Sequence, residues 1–559
     1  MLPMGGRVMT ENLIERTPSA YVYPLLIKQL LHAALVTAPR QEIVYQGKLR
    51  YTYTQLRERI GKLANALSAL GITRGTSVAV LDWDSHRYLE CYFAVPMMGA
   101  VLQTVNIRLS PEQILYTINH AQAQVLLVHK DFASLVEGIK PKLETVSQII
   151  MLYDGTDGSA GSSPGTVEYE RMLAGASADF EFPDFDEDTC ATTFYTTGTT
   201  GLPKGVYFSH RQLVLHTIAG AAALASPPSG QRFHRGDVYM PITPMFHAHA
   251  WGLPYMATML GVKQVYPGRY IPEQLMELIR QEGVTFSHCV STILHMLLNT
   301  PSAKTTDLTR WKVIIGGGAL PRGLAEAAIQ RGIDVFTGYG MSETCPIIAL
   351  AQIKPSLMDG DMDEQVRLRC KTGFPVPLVD LRIVDADMSE VAHNGKAAGE
   401  IVLRAPWLTQ GYHRNPGASE ELWAGGYLHT QDMANIDGEG YVQITDRIKD
   451  VIKTGGEWIS SLELESLISQ HPAVSEAAVI GIKDEKWGER PLALIVLKLD
   501  SAASTSAEDI RTHLRTYSDK GIISKYAVPE SIRFLDALDK TSVGKIDKKV
   551  LRTRFAMDT

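Results

Sequence analysis

The chain has 559 residues, 45% hydrophobic and 21% charged, which is enough for several domains or subdomains with sizeable cores. Its formal net charge of −7 and the lack of a long basic run argue against nucleic acid as a partner. No apolar run approaches the ~18 residues of a membrane span. Met1 to Pro18 carries charges and no apolar block. Five scattered cysteines, Cys91, Cys190, Cys289, Cys345 and Cys370, lack metal-ligand spacing. A soluble cytoplasmic protein with buried reduced thiols is expected.

In chain order, helical periodicity begins at Thr52-Tyr53-Thr54-Gln55-Leu56, runs through Leu63, Ala66 and Leu70, and ends at Gly71. A strand over 77–82 and an apolar helix over 88–98 follow, then a strand over 125–129. The Gly/Ser-rich stretch 153–166 reads as a mobile surface loop. Strands over 190–195 and 206–208 flank a loop rich in glycine and threonine, and Ser209 opens a helix with capping-box spacing to Gln212. Strands over 285–289, 311–315 and 334–337 then alternate with helices over 293–299 and 324–331. This rhythm predicts α/β layers with largely parallel sheets. Beyond Asp446-Arg447-Ile448-Lys449-Asp450 the character changes to a Gly-Gly turn, a helix capped by Ser460 with Glu463, strands over 476–480 and 492–499, a helix over 506–517 and a strand over 531–535. That is a compact α+β unit. The charged stretch before it reads either as a solvated turn or as a hinge between domains.

The loop Thr196 to Gly205 packs four hydroxyls, three glycines and Lys204 into ten residues. Glycine lets backbone N–H groups turn toward an anion, threonines add donors and lysine adds charge, so the composition suits a polyphosphate cradle. It is not the P-loop of nucleoside triphosphatases, because Gly205 follows Lys204 where Ser or Thr is needed and the loop joins two strands. A plain hairpin turn is the alternative reading.

Further along come Gly338-Tyr339-Gly340-Met341-Ser342-Glu343-Thr344, Tyr427 to Asp432, Asp446 to Glu457, and Thr541-Ser542-Val543-Gly544-Lys545. With the cradle, these motifs in this order resemble the adenylate-forming superfamily: acyl-CoA synthetases, adenylation domains of peptide synthetases and beetle luciferases. The resemblance covers nearly the whole chain from about Gln41. Met245-Phe246-His247-Ala248-His249-Ala250-Trp251 and Gly316-Gly317-Gly318-Ala319 look most like medium- to long-chain fatty acyl-CoA ligases. The fold so implied is α/β: a large N-terminal domain of several subdomains with the acyl pocket, residues 1–448, and a small mobile α+β lid, residues 449–559, hinged at Lys449. A homodimer is compatible with it.

The implied chemistry joins a carboxylate to AMP with loss of pyrophosphate, after which a thiol displaces AMP. Catalysis is then largely charge neutralisation and alignment. By resemblance, Thr196, Thr197, Gly198, Thr199, Thr200, Gly201 and Lys204 hold the β- and γ-phosphates of ATP, and Glu343 with Thr196 holds Mg²⁺. Tyr339 stacks on adenine beside Gly338, Gly340, Met341 and Ser342, and Thr344 contacts the α-phosphate. Asp432 takes the ribose hydroxyls, with Arg447 supporting the ribose or phosphate and Ile444 in the same nucleotide-binding set. Lys545 bridges the substrate carboxylate and the α-phosphate. Gly455, Gly456 and Glu457, with Lys453 and Trp458, belong to the coenzyme A face, and Lys449 sits at the pivot. Gly317, Gly318 and Ala319 leave room for an acyl chain. His247 is a catalytic candidate in the acyl pocket, where amino-acid-activating relatives hold an aspartate. Taken singly, Tyr339 also reads as a core aromatic, Glu343 as a helix-start carboxylate and Lys545 as a solvated lysine. The chain departs from the family at Gln431, where glycine is usual, which puts the local turn in question.

The favoured function is CoA ligation of a fatty or related apolar carboxylate. Alternatives are an acyl-AMP ligase loading a carrier protein, a CoA ligase for an aryl or short thioether-containing carboxylate, and a binding protein with a degenerate nucleotide site. The intact Lys204, Glu343, Asp432 and Lys545 weigh against the last.

Overall fold

A computed structural model describes residues 14–154, 167–196, 202–454, 457–498, 505–541 and 544–555, with the side chains of residues 457 and 458 left aside. Most of the 153–166 loop, residues 197–201 of the cradle, Gly455, Gly456, Ser542 and Val543 therefore lie outside the described residues.

Two large sheets organise the first part of the chain. One has seven strands, in the order Val167–Glu168, Gln148–Leu152, Ala123–His129, Ser77–Leu81, Val101–Thr104, Cys190–Tyr195 and Gly205–Ser209. All neighbours in it are parallel except the last pair, which run antiparallel with Tyr195 opposite Gly205. The second has nine strands. Its centre is parallel, placing Asp334–Gly340 beside Lys312–Ile315, then Phe286–Cys289, Val238–Pro241, Lys263–Tyr266 and Glu42–Tyr45.

The expected alternation is present. Strands such as Ser77–Leu81 are buried along their whole length, as a sheet covered by helices on both faces requires. Helix Tyr53–Ala69 begins at a capping box of Thr52 and Gln55, and helix His210–Ala225 at one of Ser209 and Gln212.

A four-stranded antiparallel sheet follows: Asp380–Val384, Gly399–Arg404, Leu428–Ile436 and Val442–Arg447. After Arg447 the chain enters a separate five-stranded sheet built around Val474–Asp484 and Gly488–Leu497, with helices Ser461–Ser469 and Ala507–Asp519 and its own apolar core around Ile452, Val479 and Leu514. Cys91, Cys289 and Cys345 are buried, while Cys190 and Cys370 are only half-buried; none forms a disulfide. Among the described residues, no helix is long and apolar enough to cross a membrane.

Candidate active site

The strand pair Cys190–Tyr195 and Gly205–Ser209 delivers both ends of the cradle. Thr196 N–H donates to Lys204 O at 2.8 Å, which closes the loop's neck. Backbone bonding then carries the neighbouring segment alongside: His413 N–H donates to Gly205 O at 2.8 Å, and Val206 bridges Tyr412. As a result the Lys204 ammonium lies 4.6 Å from the centre of the Tyr412 ring, and the Tyr412 hydroxyl donates to Glu343 Oε1 at 2.7 Å. Tyr412 links two groups 139 positions apart in the sequence. It escaped the sequence reading, although Gly411-Tyr412 repeats the glycine–tyrosine pairing of Gly338-Tyr339.

Glu343 sits in the single turn Ser342–Thr344 that ends strand Asp334–Gly340, and is buried. Burial pushes its carboxyl up, opposed by the Tyr412 hydroxyl and by Lys204. Thr344 is turned into its own bend, against the carbonyls of Met341 and Pro346. Gly338 lies buried under Ile314, while Gly340, Met341 and Ser342 are half-buried around the turn.

On the other side, Tyr339 donates its hydroxyl to Asp432 Oδ2 at 2.8 Å, and Arg447 Nε stands 3.2 Å from Asp432 Oδ1. Register explains the pair, since Asp432 is directly opposite Arg447 in the antiparallel ladder. Gln431 keeps a positive φ of 60°, the left-handed backbone that glycine adopts without strain. The turn therefore survives the substitution, with Gln431 N–H held by Glu400 at 2.9 Å and Gln431 O by Ile448 N–H at 3.1 Å. Ile444 is half-buried one strand over, its N–H donating to Thr372 Oγ1 at 2.9 Å.

Lys545 comes from the small unit yet lines a cavity of about 20 Å³ in the large one, together with Arg108, His247, Trp251, Tyr270, Val290, Ile293 and Gly317. Burial, helped by the nearby Arg447, pulls the Lys545 ammonium down to about 8, while Asp432 and Glu343 hold it up. Gly317, at φ +74°, is needed there: a Cβ would stand 2.7 Å from Lys545 Cε. Gly318 and Ala319 are exposed and do not line this cavity. His247 does line it, and burial holds its imidazole near 3, hence neutral. Beneath it, buried Asp84 accepts from Met245 N–H at 2.8 Å and from the Tyr270 hydroxyl, and burial raises its carboxyl to about 7. Neither Asp84 nor Arg108 carries a signal in the sequence beyond its residue type.

Residues Ala248 to Gly252 run through five consecutive positive φ values, from 46° to 75°. A left-handed turn of L-residues costs about 1–2 kcal/mol per residue, so surrounding packing must hold it. His249 in this turn is fully buried among Tyr92, Phe194, Phe208 and Tyr255, and neither ring nitrogen has a hydrogen-bond partner among the described residues.

Lys449 is exposed just past strand Val442–Arg447, within electrostatic reach of Arg447 and Asp432, and Lys453 is exposed on Ile452–Thr454, opposite Trp458 of strand Glu457–Ile459.

Residues 31–413 match the family described as AMP-binding enzyme, and residues 463–545 match the AMP-binding enzyme C-terminal domain. The chain is 40% identical to a long-chain-fatty-acid–CoA ligase of Thermus thermophilus, over 94% of each chain. It is 37% identical to a 3-methylmercaptopropionyl-CoA ligase of Ruegeria pomeroyi, over 95% of this chain and 97% of that one. A crystal structure of an anthranilate CoA ligase in complex with anthranoyl-AMP superposes with a TM-score of 0.83 at 25% identity, covering 95% and 98% of the two chains. Motifs, fold and comparisons agree that the chain belongs to the AMP-binding enzyme family, as an acid–thiol ligase of the AMP-forming type.

Proposed function

We propose that the protein activates a medium- to long-chain fatty acid with ATP, releasing pyrophosphate, and passes the acyl group from AMP to coenzyme A. The observation that carries this reading is the meeting of Lys545 with Gly317, His247 and an apolar cavity, within electrostatic reach of Arg447, Asp432 and Glu343. A cation there offsets the repulsion between an incoming carboxylate and the α-phosphate. Tyr339, Asp432 and Arg447 present a ring, an acceptor for ribose hydroxyls and a positive charge. Lys204 takes the terminal phosphates at the cradle's neck.

Mg²⁺ fits the donor set. No group of three or more His, Cys, Asp or Glu side chains converges among the described residues, whereas one buried carboxylate, Glu343, lies across Tyr412 from Lys204 and next to the segment ending at Thr196. Magnesium asks for little more, since it keeps waters and substrate phosphates as ligands. Glu343 and Thr196 would hold it, and it would neutralise phosphate charge. We place the division between residues 1–448 and 449–559, with Lys449 as pivot; the four-stranded sheet ends at Arg447 and the next strand of the small unit begins at Ile452. Such a pivot lets one small domain offer Lys545 for the first step and the Gly455–Gly456 face for the second. The reading is of a cytoplasmic enzyme, and a homodimer is compatible with it.

A second reading is favoured by the likeness to a 3-methylmercaptopropionyl-CoA ligase at 37% identity: a short thioether-containing or an aryl carboxylate as substrate. A panel of straight-chain, aryl and thioether carboxylates, assayed for pyrophosphate release and thioester formation with and without coenzyme A, separates these. Turnover confined to short acids replaces the fatty-acid reading, and acyl-AMP formation without any thioester removes the CoA ligase reading in favour of carrier loading.

A further inference from the structure

Lys545 can act only while its loop is seated on the large domain, and the structure shows what seats it. Within the loop, Thr541 N–H donates to Lys545 O at 2.7 Å, Lys545 N–H to Thr541 Oγ1 at 3.2 Å and Gly544 N–H to Thr541 O at 2.9 Å. These bonds tie Thr541 to Gly544 and Lys545, with Gly544 at φ +84°. Gly544 O accepts the hydroxyl of Thr292 at 2.9 Å. Thr292 lies in the first turn of helix Ser291–Leu298, two positions after cavity residue Val290 and directly before cavity residue Ile293. Its hydroxyl caps nothing in its own helix, whose N-cap Val290 makes no side-chain bond.

A second contact between the domains lies at Gly323, where a Cβ would meet the Ser469 carbonyl at 3.0 Å. The two surfaces therefore approach at backbone distance in more than one place, and the Thr292 bond is the directional one beside the pocket.

We propose that Thr292 is a positioning residue that latches the Lys545 loop onto the rim of the acyl pocket during adenylation. This deepens the functional reading above and rests on it. Thr292 touches no reacting atom; it acts through the place it gives Lys545. The latch serves only the arrangement in which Lys545 is inserted, so thioester formation, which uses the other face of the small domain, proceeds without it.

The test compares Thr292→Val, which keeps the branched shape and volume, with Thr292→Ser, which keeps the hydroxyl. One neutral hydrogen bond corresponds to about a fivefold to tenfold change in rate. The valine variant should lose about that factor in ATP-dependent pyrophosphate release, keep thioester formation from synthetic acyl-AMP and coenzyme A within twofold of the parent, and melt at the parent's temperature. The serine variant should recover adenylation to within twofold of the parent. Equal losses in both half-reactions, no loss in either, or failure of serine to rescue would each overturn the latch. A parent protein that makes no thioester at all would instead overturn the CoA ligase reading, and the pyrophosphate comparison between the Thr292 variants would still decide the latch.

Discussion

At the scale of single residues, the site rests on buried charges whose ionisation is set by burial and by the groups packed against them. Glu343 is raised by burial and held down chiefly by the Tyr412 hydroxyl. Removing that hydroxyl in Tyr412→Phe should raise the carboxyl further. The adenylation rate, which needs the carboxylate, should then be lost at a higher pH as the solution is acidified, with about a tenfold deficit at neutral pH. Glu343→Gln should cost about a hundredfold and raise the Mg²⁺ requirement. An acid limb and metal dependence matching the parent in both variants would remove Glu343 from the chemistry. Lys545 works in the opposite sense. Its ammonium is pulled down to about 8, so kcat/KM for adenylation should fall as pH rises through about 8. The limb in kcat should lie higher, because bound ATP brings negative charge that favours the protonated form; pyrophosphate release at limiting and saturating ATP measures both. Lys545 and Glu343 were singled out because their motifs are local runs that resemble those of the adenylate-forming superfamily, although each taken singly has an ordinary reading. Tyr412, Arg108 and Thr292 were not, because each gains its meaning from a contact with a residue more than a hundred positions away or on another element.

Elements built from continuous apolar runs were legible to within a few residues, as Ser77–Leu81 and Lys312–Ile315 show. The sheet from Asp380 to Arg447 was not, because strands such as Leu428–Ile436 carry His429, Thr430, Gln431 and Asp432 and lack a continuous apolar run. Its irregular point gives a stability prediction. Gln431 is exposed with φ +60°, so Gln431→Gly should relieve strain worth about 0.5–1 kcal/mol and raise the melting temperature by about 1–2 °C; a lowered melting temperature would mean that the glutamine side chain contributes binding that the backbone cost conceals. If the acyl chain enters the cavity, chain-length preference should respond to helix Ser291–Leu298 and the residue before it. Val290→Phe should shorten the preferred acid, with discrimination of about fourfold per methylene lost from the pocket, read as kcat/KM across a homologous series. An unchanged series would put the acyl tail elsewhere. Gly317 is the poorer place to try this, since a Cβ there meets Lys545 before it meets substrate.

For the whole molecule, the α/β rhythm and the separate small unit could be read from sequence, because each part buries its own core and its periodicity records that. How the units meet could not, because the contacts pair residues from separate stretches of chain, such as Thr292 with Gly544, Gly323 with Ser469 and Asp446 with Ser461. If Lys449 is the pivot, fixing its φ in Lys449→Pro should spare pyrophosphate release and slow thioester formation by about a hundredfold or more. Lys545→Ala should do the reverse, abolishing acyl-AMP formation while synthetic acyl-AMP is still converted. Parallel losses in both variants would mean that the small domain does not alternate between two arrangements.

The left-handed turn from Ala248 to Gly252 sets a boundary on how this enzyme can diversify. Valine, isoleucine and threonine are genuine outliers at positive φ, so the side of the pocket carrying Trp251 is closed to the residues that most readily reshape an apolar wall. Glycine, asparagine and aspartate remain admissible, and the last two would bring polar groups into a buried aromatic cluster. New specificities should therefore arise on the opposite wall, at Val290 and Ile293, where ordinary backbone, extended at Val290 and helical at Ile293, accepts a wide range of side chains. In a library that randomises both walls, functional variants should retain 248–252 nearly unchanged while drifting freely opposite.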